Sequence, residues 1–170
     1  MRRKGREITS LNEILAIIEK CDVCRIAFHD SPYPYIVPMN FGVSTADDQI
    51  TLYFHCANEG KKLDLIKQNP SVCFEMDCAH QLFTDEVSMN CSMAYESVIG
   101  YGKIEIVPEA EKLEALNLLM AHYHKEDFQF NQKVIPMTTV FKLKVETITA
   151  KHRLLKKHPS ISKGQELSHE

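Results

Sequence analysis

The stretch over residues 50–70 restricts the fold of this 170-residue chain more than any other. Residues 50–56 are rich in β-branched and aromatic side chains and read as a strand. Gly60 and two adjacent lysines, Lys61 and Lys62, follow. A short helix then runs to Asn69-Pro70, because the residue before a proline is pushed out of the helical region. Two lysines at a helix start oppose the helix dipole, and the unpaired N–H groups there suit an anion. Lys61 and Lys62 therefore read in one of two ways: as solvated surface charges, or as holders of a phosphate that reverses the local sign.

The rest of the chain supplies short strands and few helices. Ser10 and Glu13 have the spacing of a capping box, and Leu11, Ile14, Leu15, Ile17 and Ile18 repeat at helical spacing to about Lys20. Residues 23–29 read as a strand, 30–34 as a turn, and 35–43 as a second strand. Pro38 lies inside that strand, so it carries an edge or a bulge there. A turn at 46–49 leads to the strand over 50–56, which suggests a three-stranded antiparallel meander. Strands are expected at 71–76, with Val72, Phe74 and Met76 on one face, at 95–107, interrupted by Gly100 and Gly102, and at 138–149. Residues 77–92 read as an irregular side loop. Pro108 and the acids after it open a helix whose inner face is expected to hold Leu113, Leu116, Leu119 and Met120. From residue 153 the chain is polar and basic, a mobile tail after a domain spanning 1–152. Six strands joined mostly by turns make a mainly β fold with a few helices, a small antiparallel barrel.

Composition narrows the function classes. A hydrophobic share of 44% and a charged share of 25% belong to an ordinary globular domain, and a net charge of -3 gives no reason to expect nucleic acid. No apolar run approaches the roughly 20 residues of a membrane span. The basic start of the chain is followed by Asn12, Glu13 and Glu19, so no signal peptide is read. Of six cysteines, Cys24, Cys56, Cys73 and Cys91 sit in or beside apolar runs, where free cysteine behaves as a small hydrophobe. Cys21 and Cys24 form a C-x-x-C with no second half, so no metal site is expected. A reducing, cytoplasmic setting fits.

Three segments together resemble a known family. Pro34-Tyr35-Ile36-Val37-Pro38-Met39-Asn40-Phe41 is the first. Tyr53-Phe54-His55-Cys56-Ala57 with Glu59-Gly60-Lys61-Lys62 is the second, and Tyr95-Glu96-Ser97-Val98-Ile99-Gly100-Tyr101-Gly102 the third. They are similar to the flavin-binding split β-barrels related to pyridoxamine phosphate oxidase, in particular the nitroimidazole-resistance (Nim-like) branch. The resemblance implies a six-stranded antiparallel split β-barrel and a homodimer with two flavins at the subunit interface. It places Lys61 and Lys62 at the phosphate and the backbone of Val37, Pro38, Met39, Asn40 and Phe41 along the ring. Phe54, His55 and Ala57 stand beside the flavin, with Tyr95 and Ser97 approaching from the long strand. FMN is the cofactor implied, with FAD as the alternative. The chain has no tryptophan, and so departs from the oxidases proper, whose C-terminal substrate-binding segment carries one.

A flavin needs an anion site, an apolar slot and backbone groups at its polar edge, and this chain offers all three. It has no G-x-G-x-x-G, which argues against a Rossmann-type site. His55, at a strand end five residues before Gly60, is the candidate catalytic residue: imidazole can donate a proton near neutral pH, and nitro reduction consumes protons. The expected function is flavin-dependent reduction of a small molecule, nitroimidazoles being the named substrate class. The alternatives are a flavin enzyme for another small molecule and a flavin or haem carrier.

Overall fold

The computed structural model describes residues 4–154 apart from 86, 88, 125 and 127. The elements are β1 (Glu7–Ile8), α1 (Leu11–Ile18), β2 (Cys24–Phe28), β3 (Tyr35–Met39), β4 (Gly42–Ala46) and β5 (Gln49–Ala57). Then come α2 (Lys61–Gln68), β6 (Ser71–Asp85), β7 (Asn90–Ile106), α3 (Lys112–Tyr123) and β8 (Thr138–Arg153). The tail expected from 153 lies, beyond residue 154, outside the described residues.

All strand pairings are antiparallel, in the order β3-β2-β6-β7-β8-β5-β4, with β1 added to β8. The strand expected over 35–43 is two strands, β3 and β4, and they occupy opposite ends of this path. The expected three-stranded meander is therefore not formed. Only Asn40 and Phe41 link the two ends, so the sheet must curl until its edges nearly meet: a barrel split along one side. Pro38 sits in β3, at the end of the path, where a missing N–H costs no ladder bond. The split and the two-residue β1 raise the strand count among the described residues from the expected six to eight.

Local chemistry fixes the corners. Asp47 and Asp48 link β4 to β5 with φ of 49° and 61°, the pattern of a type I′ hairpin turn. Gly60, the residue before α2, has φ 134°, which side chains rarely tolerate. Ser10 precedes α1 but makes no side-chain cap bond, so the expected capping box does not form; the Ile14 N–H donates to the Ser10 carbonyl at 3.0 Å.

Alternation then fills the barrel. Phe28, Phe41, Phe54, Phe74 and Phe141 are fully buried, and Phe54 stacks on Phe141 at 5.3 Å. Val72, Phe74 and Met76 share the inner face, as expected. Gly102 marks a register shift against β8, and a Cβ there would overlap the Lys144 carbonyl. Ile14, Ile17 and Ile18 of α1 join the same core, and so do Leu63, Leu65 and Ile66 of α2. Outside the barrel, Ala115 and Leu116 of α3 bury Val107 and Val140. Leu113 is instead exposed, because Ala115, Leu116 and Leu119 set the inner stripe and Leu113 lies off it. The expected side loop at 77–92 is largely strand: β6 and β7 pair out to Asp85 and Asn90, with an irregularity between Cys78 and Gln81.

Candidate functional site: a charged corner and an open sheet face

The end of β5 and the start of α2 make one corner of the molecule. Successive residues of β5 face opposite sides. Phe54 points into the barrel and is fully buried, so its side chain is a core group and not one that stands beside a ligand. His55 and Ala57 are exposed, and Tyr53 is half-buried on the same side as His55. Partial burial, and then the positive charge of Lys62, hold the His55 imidazole below its ordinary pKa. Burial raises the thiol of Cys56 next to it, while Lys62 pulls it the other way.

Lys61 is engaged by two groups that no motif or spacing joins to it. Its Nζ lies 2.6 Å from Asp30 Oδ2 and 5.0 Å above the Tyr35 ring. The other Asp30 oxygen accepts the Ser31 N–H at 3.0 Å, so the carboxylate is fixed in its turn. The Lys61 ammonium, more than the Ser31 amide, holds the Asp30 carboxyl below its usual range.

The other expected site residues lie elsewhere on the chain. Val37 is half-buried, Pro38 and Asn40 are exposed, and Met39 and Phe41 are buried. The Phe41 N–H donates to the Tyr123 hydroxyl at 3.0 Å, and that hydroxyl donates to the Asp22 carbonyl at 2.8 Å. This pins the β3–β4 link to α3, and it commits one backbone amide of the 37–41 segment. His122, in the last turn of α3, has Nε2 2.8 Å from the Cys21 carbonyl and packs 4.3 Å from Phe41.

Tyr95 and Ser97 stand on β7, and Lys151 of the neighbouring β8 holds its Nζ 5.4 Å over the Tyr95 ring. The Ser97 hydroxyl is buried with no hydrogen-bond partner among the described residues. Cross-strand pairs put Phe28 beside Val72 and Val72 beside Gly102, at the end of the sheet that carries Asp30. Ser97 is five residues back along β7, roughly 16 Å at strand rise. The expected residues thus form two groups on one chain: Lys61, Lys62 and His55 at the corner, and Tyr95 and Ser97 further along the sheet.

Between them the outer face of the sheet carries an apolar row beside an ion-paired one, in which Arg25 meets Glu75 at 3.1 Å and Asp77 at 2.6 Å. Ile36, Ala27, Cys73 and Tyr101 form one cross-strand row, with Ile36 58% and Tyr101 53% exposed. A cleft of about 450 Å³ lies on this row and reaches His29, Asp30 and Glu146. A second cleft, of about 460 Å³, is formed by α3 with Phe128 and Phe130. Neither is lined by Lys61, Lys62 or His55.

All six cysteines are free thiols, and among the described residues no group of three or more His, Cys, Asp or Glu could hold a metal ion. Burial pushes the Cys21 and Cys24 thiols up, so neither is a thiolate. Among the described residues no helix is long and apolar enough to cross a membrane.

The fold and its motifs have relatives. A candidate 5-nitroimidazole antibiotic resistance protein from Bacteroides thetaiotaomicron is 33% identical, with a TM-score of 0.75 over 86% of each chain. A flavocytochrome from Azotobacter vinelandii is 19% identical, with a TM-score of 0.74 over 100% of this chain and 86% of its own. An FAD and haem binding protein from Mycobacterium smegmatis is 16% identical, with a TM-score of 0.71 over 86% of this chain and 73% of its own. The last two share the fold alone. No curated protein matches at a significant level. The family model described as pyridoxamine 5'-phosphate oxidase matches residues 10–152, nearly the whole barrel, and the chain belongs to that family.

Proposed function

We propose that the chain is a flavin-dependent oxidoreductase that works as a homodimer on a small, electron-poor acceptor, with nitroimidazoles as the leading substrate class. The observation that carries this is the basic start of α2 beside His55. It occurs in a chain 33% identical to a candidate nitroimidazole resistance protein.

The donor set suits a flavin nucleotide. Lys61 and Lys62 would hold a phosphate, and the amides of the first helical turn point the same way. The backbone of the 37–41 segment, on the split edge of the sheet, would run along the ring. Ser97 offers a buried hydroxyl without a partner among the described residues, the kind of group a ligand atom satisfies. A bound flavin supplies reversible electron and hydride transfer. The protein's part is to orient it and to manage protons. His55 is neutral at pH 7 in this state, since its pKa is depressed. A negative charge brought beside it raises its proton affinity, so that one imidazole nitrogen can take up a proton and pass it to substrate.

The two groups of site residues motivate the dimer. A second copy laid on the apolar row of Ile36 and Tyr101 would cover it and bring the Tyr95–Ser97 group of one protomer toward the corner of the other. Such an interface should bury more than about 2,000 Å² in total. The free thiols fit a reducing, cytoplasmic setting.

The deciding measurement is an absorption spectrum of purified protein with mass analysis of the released cofactor, then stopped-flow reoxidation of reduced protein by a nitroimidazole. Flavin bands, nitroimidazole-dependent reoxidation and sedimentation as a dimer are expected. His55→Ala should keep its flavin and slow reoxidation by about 10²- to 10⁴-fold. A Soret band without flavin would point to a haem carrier and overturn the reading.

A further inference from the structure

We propose that Asp30 sets which flavin nucleotide this chain accepts, by cancelling one positive charge at the Lys61/Lys62 corner so that the diphosphate of FAD is preferred over the phosphomonoester of FMN. The inference rests on the reading of that corner as the phosphate site. Asp30 is a resident of the corner and not a passing contact. One carboxylate oxygen is 2.6 Å from Lys61 Nζ and the other is held by the Ser31 amide. The Tyr35 ring backs the ammonium from another side.

Two lysines and one carboxylate leave a net charge of one plus. At pH 7 the terminal phosphate of FMN carries about -1.5 to -2. Each phosphorus of the FAD diphosphate carries a single negative charge. A corner of one plus therefore neutralises one FAD phosphate but leaves FMN's second charge facing Asp30. A fixed carboxylate a few ångströms away, in a solvated setting, should disfavour that extra charge by about four- to tenfold. Without Asp30 the corner would carry two plus and match FMN.

The test is titration of FMN and FAD separately into flavin-stripped full-length protein, followed by fluorescence quenching. Asp30→Asn keeps an oxygen for the Ser31 amide and removes the charge. It should tighten both flavins, and FMN by about four- to tenfold more than FAD, because FMN puts the larger charge on the phosphate beside residue 30. In the parent, the preference for FAD should shrink as salt is raised, because exposed charges are screened. Equal shifts for both flavins in Asp30→Asn, or a parent ratio indifferent to salt, would overturn the proposal. Lys61→Ala separates the layers. If it weakens both flavins while Asp30→Asn leaves their ratio fixed, only the role of Asp30 falls. If it weakens neither, the corner is not the phosphate site and both readings fall.

Discussion

Phe54 and His55 are adjacent in sequence and belong to regions built on different rules. Phe54 is one of five phenylalanines that fill the barrel, and everything it needs comes from its own chain. His55 faces out, next to a corner whose three charges, Lys61, Lys62 and Asp30, are drawn from a helix start and a distant turn. The interior is closed by shape. The corner is held in place by the barrel yet left open, with charge in excess of what folding requires. Stability should therefore respond to changes inside the barrel, and ligand binding to changes at the corner, with little crossover.

The largest expected effect is inside. Phe54→Ala removes a ring stacked on Phe141 in a fully buried site, and should cost about 3–5 kcal/mol in urea unfolding. Tyr53→Phe, which removes only the 3.2 Å bond from Ser44 to the Tyr53 hydroxyl, should cost far less. Gly102→Ala comes next, at about 3 kcal/mol, because its Cβ would meet the Lys144 backbone carbonyl at the β-bulge. Gly100→Ala meets the Phe74 side chain first and a backbone oxygen, that of Thr147, at 2.9 Å. It should be milder, since the backbone atom it meets lies further off than the Lys144 carbonyl does from a Cβ at 102. Equal losses at the two glycines would show that the buried Phe74 ring yields no more readily than a backbone carbonyl.

At the corner the order reverses: little stability, much binding. A charge-assisted bond to phosphate is worth about ten- to a hundredfold in affinity. Lys61→Ala or Lys62→Ala should each weaken flavin binding by that factor, and the double variant should lose its flavin in purification. The apoprotein should unfold at nearly the same urea concentration as the parent, since the Lys61–Asp30 pair is half exposed and the lysines oppose the helix dipole. Loss of apoprotein stability comparable to Phe54→Ala would erase the contrast between the two regions.

The interior was the more legible of the two in the sequence. Val72, Phe74 and Met76 announce a face by alternation, and so does the strand that holds Phe54, because burial leaves a period-2 mark. The split of residues 35–43 was not legible. Pro38 signals an edge, but nothing in this apolar-rich stretch says that the strand ends at Met39 and restarts at Gly42 on the far side of the sheet. Nor was the pairing from Asp85 to Asn90: polar residues on a solvent-facing hairpin look like loop. At the corner, Gly60, Lys61, Lys62 and His55 were picked out by type and spacing. Nothing in the sequence marks Asp30 and Tyr35 as partners of Lys61, since a contact across some thirty residues leaves no periodic trace. The orphaned Ser97 hydroxyl is visible only once its neighbours are placed.

The smallest expected effect tests whether the corner touches folding at all. Burial and Lys62 lower the His55 pKa in the folded chain below the value of about 6.5 it has when unfolded. Between these two values the unfolded chain binds the extra proton, so stability rises with pH there. The contribution is complete above the unfolded pKa and is lost as pH falls through 6.5 toward the folded value. Because the imidazole is largely exposed, the amount is at most a few tenths of a kcal/mol after solvent screening. Other histidines titrate over the same range, so the measurement is a difference: urea unfolding of parent and His55→Gln from pH 8 to pH 5. The parent should lose ground to the variant only on the acid side. Lys62→Ala should shrink that loss by removing the repelling charge, while burial keeps part of it. A difference that is flat with pH, or that favours the parent in acid, would mean that His55 feels neither the barrel wall nor its lysine neighbour. The proton-handling role proposed for it would then lose its electrostatic basis.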